Sequence, residues 1–144
     1  MLGFDLKNGV VSGASLVPTT VTTNTLSTGS AVDLTNGSVI SIAVLNVGAV
    51  SGTSPTLDLK LQSNTTSATT GFTDVSGATF TQVTTSNKRQ VITFTLPPGS
   101  GYVRVTGTVS GTTPSFLASV DVFSVEKFVQ PTGAEGDFSR SPST

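Results

Sequence analysis

The chain has no histidine, no cysteine and no tryptophan, and only 10% of its 144 residues are charged. Each absence removes a class of chemistry. Without cysteine there is no disulfide framework, no thiolate nucleophile and no thiolate metal site. Without histidine, Ser-His and Cys-His catalytic arrangements are excluded. Seven basic residues stand against eight acidic ones, for a formal net charge of −1. A nucleic-acid interface needs a basic patch to displace counterions, and no such surplus exists. No polybasic run suits an anionic membrane surface, and no apolar run approaches the ~20 residues of a membrane span. The expectation is no nucleic-acid partner, no membrane partner and no cofactor. Met1-Leu-Gly-Phe-Asp-Leu-Lys7 lacks the basic stretch and apolar core of a secretory signal, so synthesis in a cytoplasm is expected.

What the chain does have is hydroxyl: Ser and Thr make up roughly a third of it. With 35% hydrophobic residues and a mean hydropathy of +0.20 it is not disordered by composition. Its length suits one domain with a real core. The surface must be covered mainly by hydroxyls.

Short β-type runs recur, separated by Gly, Pro and Asn. Val10–Val17 is a weak strand closed by Pro18, and Thr19–Leu26 alternates around Val21. Asn36-Gly37 is a strong turn signal. Ser38–Val47 (SVISIAVLNV) is the most apolar run. Ile40, Ile42 and Val44 share one face, and Val39, Ala43, Leu45 and Val47 the other. Such a strand is expected to be covered on both sides, the second face by a neighbouring subunit if not by the chain itself. A loop is expected over Gly48–Ser54. Leu57, Leu59 and Leu61 then alternate with Asp58, Lys60 and Gln62, the pattern of a half-buried antiparallel strand. Shorter strands are expected at Phe72–Val75 and Ala78–Val83 about a Ser76-Gly77 turn. Val91–Leu96 points Ile92, Phe94 and Leu96 inward. Gly101–Val109 points Val103, Val105 and Val109 inward, with Tyr102 and Arg104 outward. After a turn at Ser110–Pro114, Phe116, Ala118, Val120 and Val122 share a face. The apolar phase then shifts at Phe123 and Val125, which predicts a β-bulge.

No helix is signalled. Eight or nine strands at this spacing indicate an all-β fold, an antiparallel two-sheet β-sandwich of jelly-roll type; an immunoglobulin-like order stays open. The domain covers 9–129. Residues 1–8 read as an N-terminal arm in which Phe4 and Leu6 alternate with Asp5 and Lys7. Residues 130–144 read as an extended or flexible tail.

Little here can do chemistry. A glycosidase needs two carboxylates across a groove. The candidates Asp58, Asp74, Asp121 and Glu126 read more simply as solvated or turn-capping groups. No calcium-type D-x-[DN]-x-[DN] run exists, and no metal site is expected. Phe4, Phe128 and Phe138 lie in or beside the arms, where exposed apolar residues signal burial against a partner. Arg104 is placed to pair with Asp121 or Asp58 across strands, or to serve with Tyr102 at an interface.

The run from Leu57 to Val125, LDLKLQSNTTSATTGFTDVSGATFTQVTTSNKRQVITFTLPPGSGYVRVTGTVSGTTPSFLASVDVFSV, resembles the decoration (cement) proteins of tailed-bacteriophage heads. The matching features are the strand Leu57–Gln62, the segment Phe72-Thr-Asp-Val75, the strand Tyr102-Val-Arg-Val105 and the turn Thr113-Pro-Ser115. About half the chain takes part. The resemblance implies a jelly-roll-like β-sandwich on the capsid exterior of a virion. There it would bridge subunits of the major capsid protein, as a homodimer or homotrimer. Phe4, Leu6, Phe128 and Phe138 are then the expected anchors. A receptor- or glycan-binding module of a fibre or accessory head protein is the alternative, and a glycoside-cleaving enzyme the third reading.

Overall fold

The structure is a computed structural model that describes residues 10–22, 26–67 and 69–126. The predicted arm 1–8 and tail 130–144 lie outside those residues. All regular structure in the described chain is strand: β1 (Val10–Val21), β2 (Leu26–Thr28), β3 (Val32–Asp33), β4 (Gly37–Asn64), β5 (Thr73–Thr79), β6 (Lys88–Thr95) and β7 (Tyr102–Glu126). Every pairing is antiparallel. Hydrogen bonds run along the path β1-β7-β4-β5, with β2 and β3 attached to β7 and β6 attached to β4.

Fewer strands form than the sequence suggests, because four expected breaks fall inside continuous strands. β4 spans 28 residues and β7 spans 25. Their ladder passes through 48–54 and 110–114 with register shifts after Val47, Ser51 and Thr53. Gly52 (φ +109°) and Ser54 (φ +48°) on β4 face Gly111 (φ +120°) and Thr113 (φ +47°) on β7. Turn chemistry lies opposite turn chemistry, so both strands bend together and stay paired. The backbones nearly touch: a Cβ on Gly52 would lie 2.7 Å from the Thr113 carbonyl oxygen, and one on Gly111 would lie 2.8 Å from that of Ser54. Ser76-Gly77 likewise sits inside β5, at an irregularity opposite Lys60 and Gln62. Pro18 does not end β1; it occupies a register shift between Leu16 and Thr19, where no ladder N–H is required.

The bend divides the sheet into two halves. The first comprises β1, β6, 37–50 of β4 and 116–126 of β7. The second comprises β2, β3, β5, 56–64 of β4 and 102–110 of β7. In β7 the buried positions change from Val103, Val105 and Val109 to Phe116, Ala118, Val120 and Val122. The phase therefore changes at the bend. The bulge predicted after Val122 is not there: β7 pairs with β1 without a break from Asp121 to Val125. Val122 and Ser124 stay inside, and Phe123 and Val125 point outward from a regular strand.

The inner residues of both halves form one hydrophobic cluster, with Ala43, Leu45, Phe116 and Val120 from the first half meeting Leu57, Leu61, Val103 and Val105 from the second. Phe94 and Leu96 are buried as expected and Ile92 packs against the cluster. A buried hydroxyl clasps the halves. Ser15 Oγ accepts a hydrogen bond from the Val105 N–H at 2.8 Å and donates to the Ser30 carbonyl at 2.8 Å. That satisfies a backbone donor which would otherwise be stranded inside.

Candidate functional site: an apolar outer face

The period of two that buries Ala43, Leu45 and Val47 necessarily turns Ile40, Ile42 and Val44 the other way. Val44 is half-buried, and Ile40 and Ile42 stay open to solvent in the described chain. Ile40 is 63% exposed and Ile42 39%. Neighbouring strands bring more apolar side chains to the same face. Across from Ile42 lies Phe123 on β7, and across from Val44 lies Val91 on β6, itself 55% exposed. Val125 continues the face and pairs with Val10 on β1. Val10, Ile40, Ile42, Phe123 and Val125 line a shallow groove, with Ser38, Thr93 and Ser124 as its few polar neighbours. Leu117 and Val17 are exposed further along the same half. All the large exposed hydrophobic residues in the described chain thus belong to the first half.

At the start of β4 the chain bulges between Gly37 and Ser41, where Ser124 Oγ donates to the Ser38 carbonyl at 3.0 Å. A side chain at Gly37 would collide with Ser124. One charge interrupts the patch. Asp121 lies between Ala14 and Val44 in register, half-buried, and none of the described residues pairs with its carboxylate.

The outer face of the second half is built differently. Asp58, Lys60 and Gln62 of β4 and Arg104 of β7 point outward and are tied together. Lys60 Nζ lies 2.6 Å from Asp74 Oδ2, and Gln62 Nε2 donates to Asp74 Oδ1 at 2.9 Å. These two contacts, Lys60 first, hold the Asp74 carboxyl below its usual acidity range. Arg104 donates from Nε and Nη2 to Gln62 Oε1 (3.1 and 3.0 Å) and from Nη1 to the Thr69 carbonyl (3.1 Å). Its guanidinium carbon sits 4.2 Å above the Phe72 ring. Gln82 Nε2 bonds both oxygens of Asp58, at 3.0 and 2.9 Å. Near the entry of β7, the Asp33 carboxyl is lowered by the Thr35 hydroxyl and then by the Thr35 N–H.

The candidates read from sequence fall unevenly on this map. Tyr102 and Arg104 do lie on the outer face of the second half, half-buried. Arg104 pairs with neither Asp121 nor Asp58. It is bound by an amide and a carbonyl, because Gln62 is its direct cross-strand neighbour while Asp121 is in the other half. One face of Phe72 is capped by that guanidinium and is closed to stacking. Asp58 and Asp74 each accept donors from their own chain, and Asp121 stands apart from both. Among the described residues no three Asp or Glu side chains converge. Phe4, Leu6, Phe128 and Phe138 lie outside the described residues. The residues that the sequence left unassigned are Val91, Phe123 and Val125; the phase shift at Phe123 and Val125 was read as a bulge and not as a second apolar face, and the inward alternation of Ile92 and Phe94 was the signal for Val91.

No protein-family model matches the chain, and no curated protein matches its sequence.

Proposed function

We propose that the protein is a structural virion component without enzymatic activity, a decoration protein on the exterior of a tailed-phage head. In this reading the two halves of the bent sheet act as the two layers of a jelly-roll-like β-sandwich. The apolar outer face of the first half docks on the shell, and copies associate as a homodimer or homotrimer that bridges neighbouring major capsid subunits. The observation that carries the reading is the solvent-facing cluster of Ile40, Ile42, Val91 and Val125 beside Phe123. Contiguous apolar surface of this kind marks interaction sites, and each such side chain gains about 1.5–3 kcal/mol on full burial. The resemblance over Leu57–Val125 supplies the identity of the partner.

The physical role is linkage. A ligand that binds only the assembled shell stabilises it against dissociation, and repeated copies on a symmetric lattice gain from effective concentration. Phe4, Leu6, Phe128 and Phe138 are proposed to add anchors from the two terminal segments. The reading is tested by mixing purified protein with undecorated heads of the phage that carries its gene and sedimenting them. Saturable attachment at a copy number commensurate with the lattice is expected, together with greater resistance of the heads to heat. Absence of attachment would remove the reading.

A further inference from the structure

In the first half the strands run in the order β1-β7-β4-β6, so β1 and β6 are its two edges. A sheet edge offers N–H and C=O groups to any strand that comes alongside, and proteins blunt such edges with proline, bulges or contacts that use up the backbone. β1 carries all three. Pro18 interrupts it, two register shifts bend it, and the Ser15 carbonyl already accepts the Ser30 N–H at 2.6 Å. β6 carries none of them. Its eight residues, Lys88-Arg-Gln-Val-Ile-Thr-Phe-Thr95, include no proline or glycine and pair with β4 without a register shift. Among the described residues β4 is the one strand that pairs with it.

The direction of the outer groups follows from the ladder. Asn87 donates its N–H to the Gly48 carbonyl at 2.9 Å, directly opposite it in the same register. In an antiparallel ladder such exchanging pairs alternate with non-exchanging ones. Arg89, Val91, Thr93 and Thr95 therefore turn their backbone groups to β4, and Lys88, Gln90, Ile92 and Phe94 turn theirs to the open edge. Thr81 is held against β6 by the Gln90 side-chain amide, through its N–H and carbonyl (2.8 and 2.7 Å), and not by the β6 backbone.

We propose that two copies of the chain pair through β6, antiparallel, about a twofold axis that passes between Val91 and the partner's Val91. Lys88 then exchanges with the partner's Phe94 and Gln90 with the partner's Ile92, which adds about eight N–H···O bonds across the axis. The occupant is a second copy because the strand suits itself. Its charges, Lys88 and Arg89, lie at one end. An antiparallel copy sets them about 20 Å from their like, opposite Phe and Thr. Val91, now 55% exposed, gains a β-branched partner of the kind that stabilises neighbouring strands. Pairing one edge with itself also closes at two, since the first halves are left with only their blunted β1 edges. The axis stands perpendicular to the sheet. Both apolar outer faces therefore point the same way and become one surface, joined across Val91. The use of that double face rests on the docking reading; the dimer itself is a property of the isolated chain.

The test uses the full-length protein without heads, and any disulfide in a variant is the engineered one, since the chain has no cysteine. Sedimentation equilibrium of the parent at high micromolar concentration is expected to give a dimer. Val91→Lys, which opposes two ammonium groups at the axis, is expected to be monomeric with the parent's circular dichroism. Val91→Cys is expected to oxidise to a disulfide-linked dimer, because Cα atoms of a non-exchanging pair lie about 4.5 Å apart, within disulfide reach. Thr93→Cys and Ile42→Cys, at exposed positions of the same face, should stay reduced, their copies lying about 14 Å apart or more. A monomeric or trimeric parent, or a dimer untouched by Val91→Lys, overturns the proposal. So does readier closure of the Thr93 or Ile42 variant than of the Val91 variant, which would place the contact in another register or on the outer face. If the Val91 dimer forms and heads still fail to bind it, the docking reading falls and the dimer stands.

Discussion

The two outer faces of this sheet come from the same pair of long strands yet are finished in opposite ways. On β4 the outward residues are Ile40, Ile42 and Val44 before the bend and Asp58, Lys60 and Gln62 after it. On β7 they are Tyr102 and Arg104 before the bend and Asp121, Phe123 and Val125 after it. The second half satisfies its polar groups internally: Lys60, Asp74, Gln62, Arg104 and Thr69 form one chain of contacts. The first half leaves apolar area open. A face whose donors and acceptors are already spent on one another gains little from a new partner. A face that exposes Ile, Val and Phe gains from any surface that dries it. The difference teaches where to expect contact, and it exists although both faces lie over one common core.

The sharing can be broken first. Phe116, fully buried just after the bend, packs in the common core. Phe116→Ala is expected to cost about 3–5 kcal/mol, measured by urea denaturation, with strands of both halves lost in one transition. Separate transitions would show that the halves are independent units. The next largest effect separates the faces. Ile42→Lys is expected to leave the urea midpoint nearly unchanged, as surface substitutions do. It should weaken attachment to heads by about 2 kcal/mol or more, roughly thirtyfold, as a charge set into a central apolar contact does. Arg104→Ala on the other face should leave attachment intact.

A third test concerns the clasp. Ser15→Ala strands the Val105 N–H and should cost about 1–3 kcal/mol, with faster amide exchange at Val105 as its local sign. The smallest effect belongs to the polar face. Lys60 and Asp74 are an exposed pair, and such pairs contribute little at neutral pH. The Asp74 carboxyl is more acidic in the folded chain than in the unfolded one, so its contribution is complete above the ordinary carboxylate range. It is lost as pH falls through the lowered folded value. Asp74→Asn should therefore change the melting temperature little at pH 7 and make the acid limb of the stability curve shallower than in the parent chain. A steeper limb would reverse the assigned sign.

How far the sequence revealed this arrangement depends on the element. The alternation in Leu57–Leu61 and in Val103–Val105 is strict, and those residues are buried as their period requires. The double-faced pattern of Ser38–Val47 also announced an outer apolar surface. Strand number was less legible. Gly-Thr-Ser at 52–54 and Gly-Thr-Thr at 111–113 carry the chemistry of chain reversal, and only their placement opposite each other converts two reversals into one shared bend. That pairing is a long-range fact which no local window contains. The same limit explains Phe123. A change of apolar phase signals either a bulge or a strand with both faces apolar, and the choice depends on the neighbouring ladder, where Ser12 pairs with Phe123 without interruption. The partners of Arg104 were illegible for a related reason: charge complementarity pointed to Asp58 or Asp121, whereas register delivered Gln62.

The most direct test of the account compares three proteins in one sedimentation series with undecorated heads: the parent chain, Ile42→Lys and Arg104→Ala, scored as bound copies per head at equal free concentration. The account predicts full occupancy for the parent and for Arg104→Ala, and loss of most of it for Ile42→Lys. Equal occupancy by all three, or loss confined to Arg104→Ala, would contradict it.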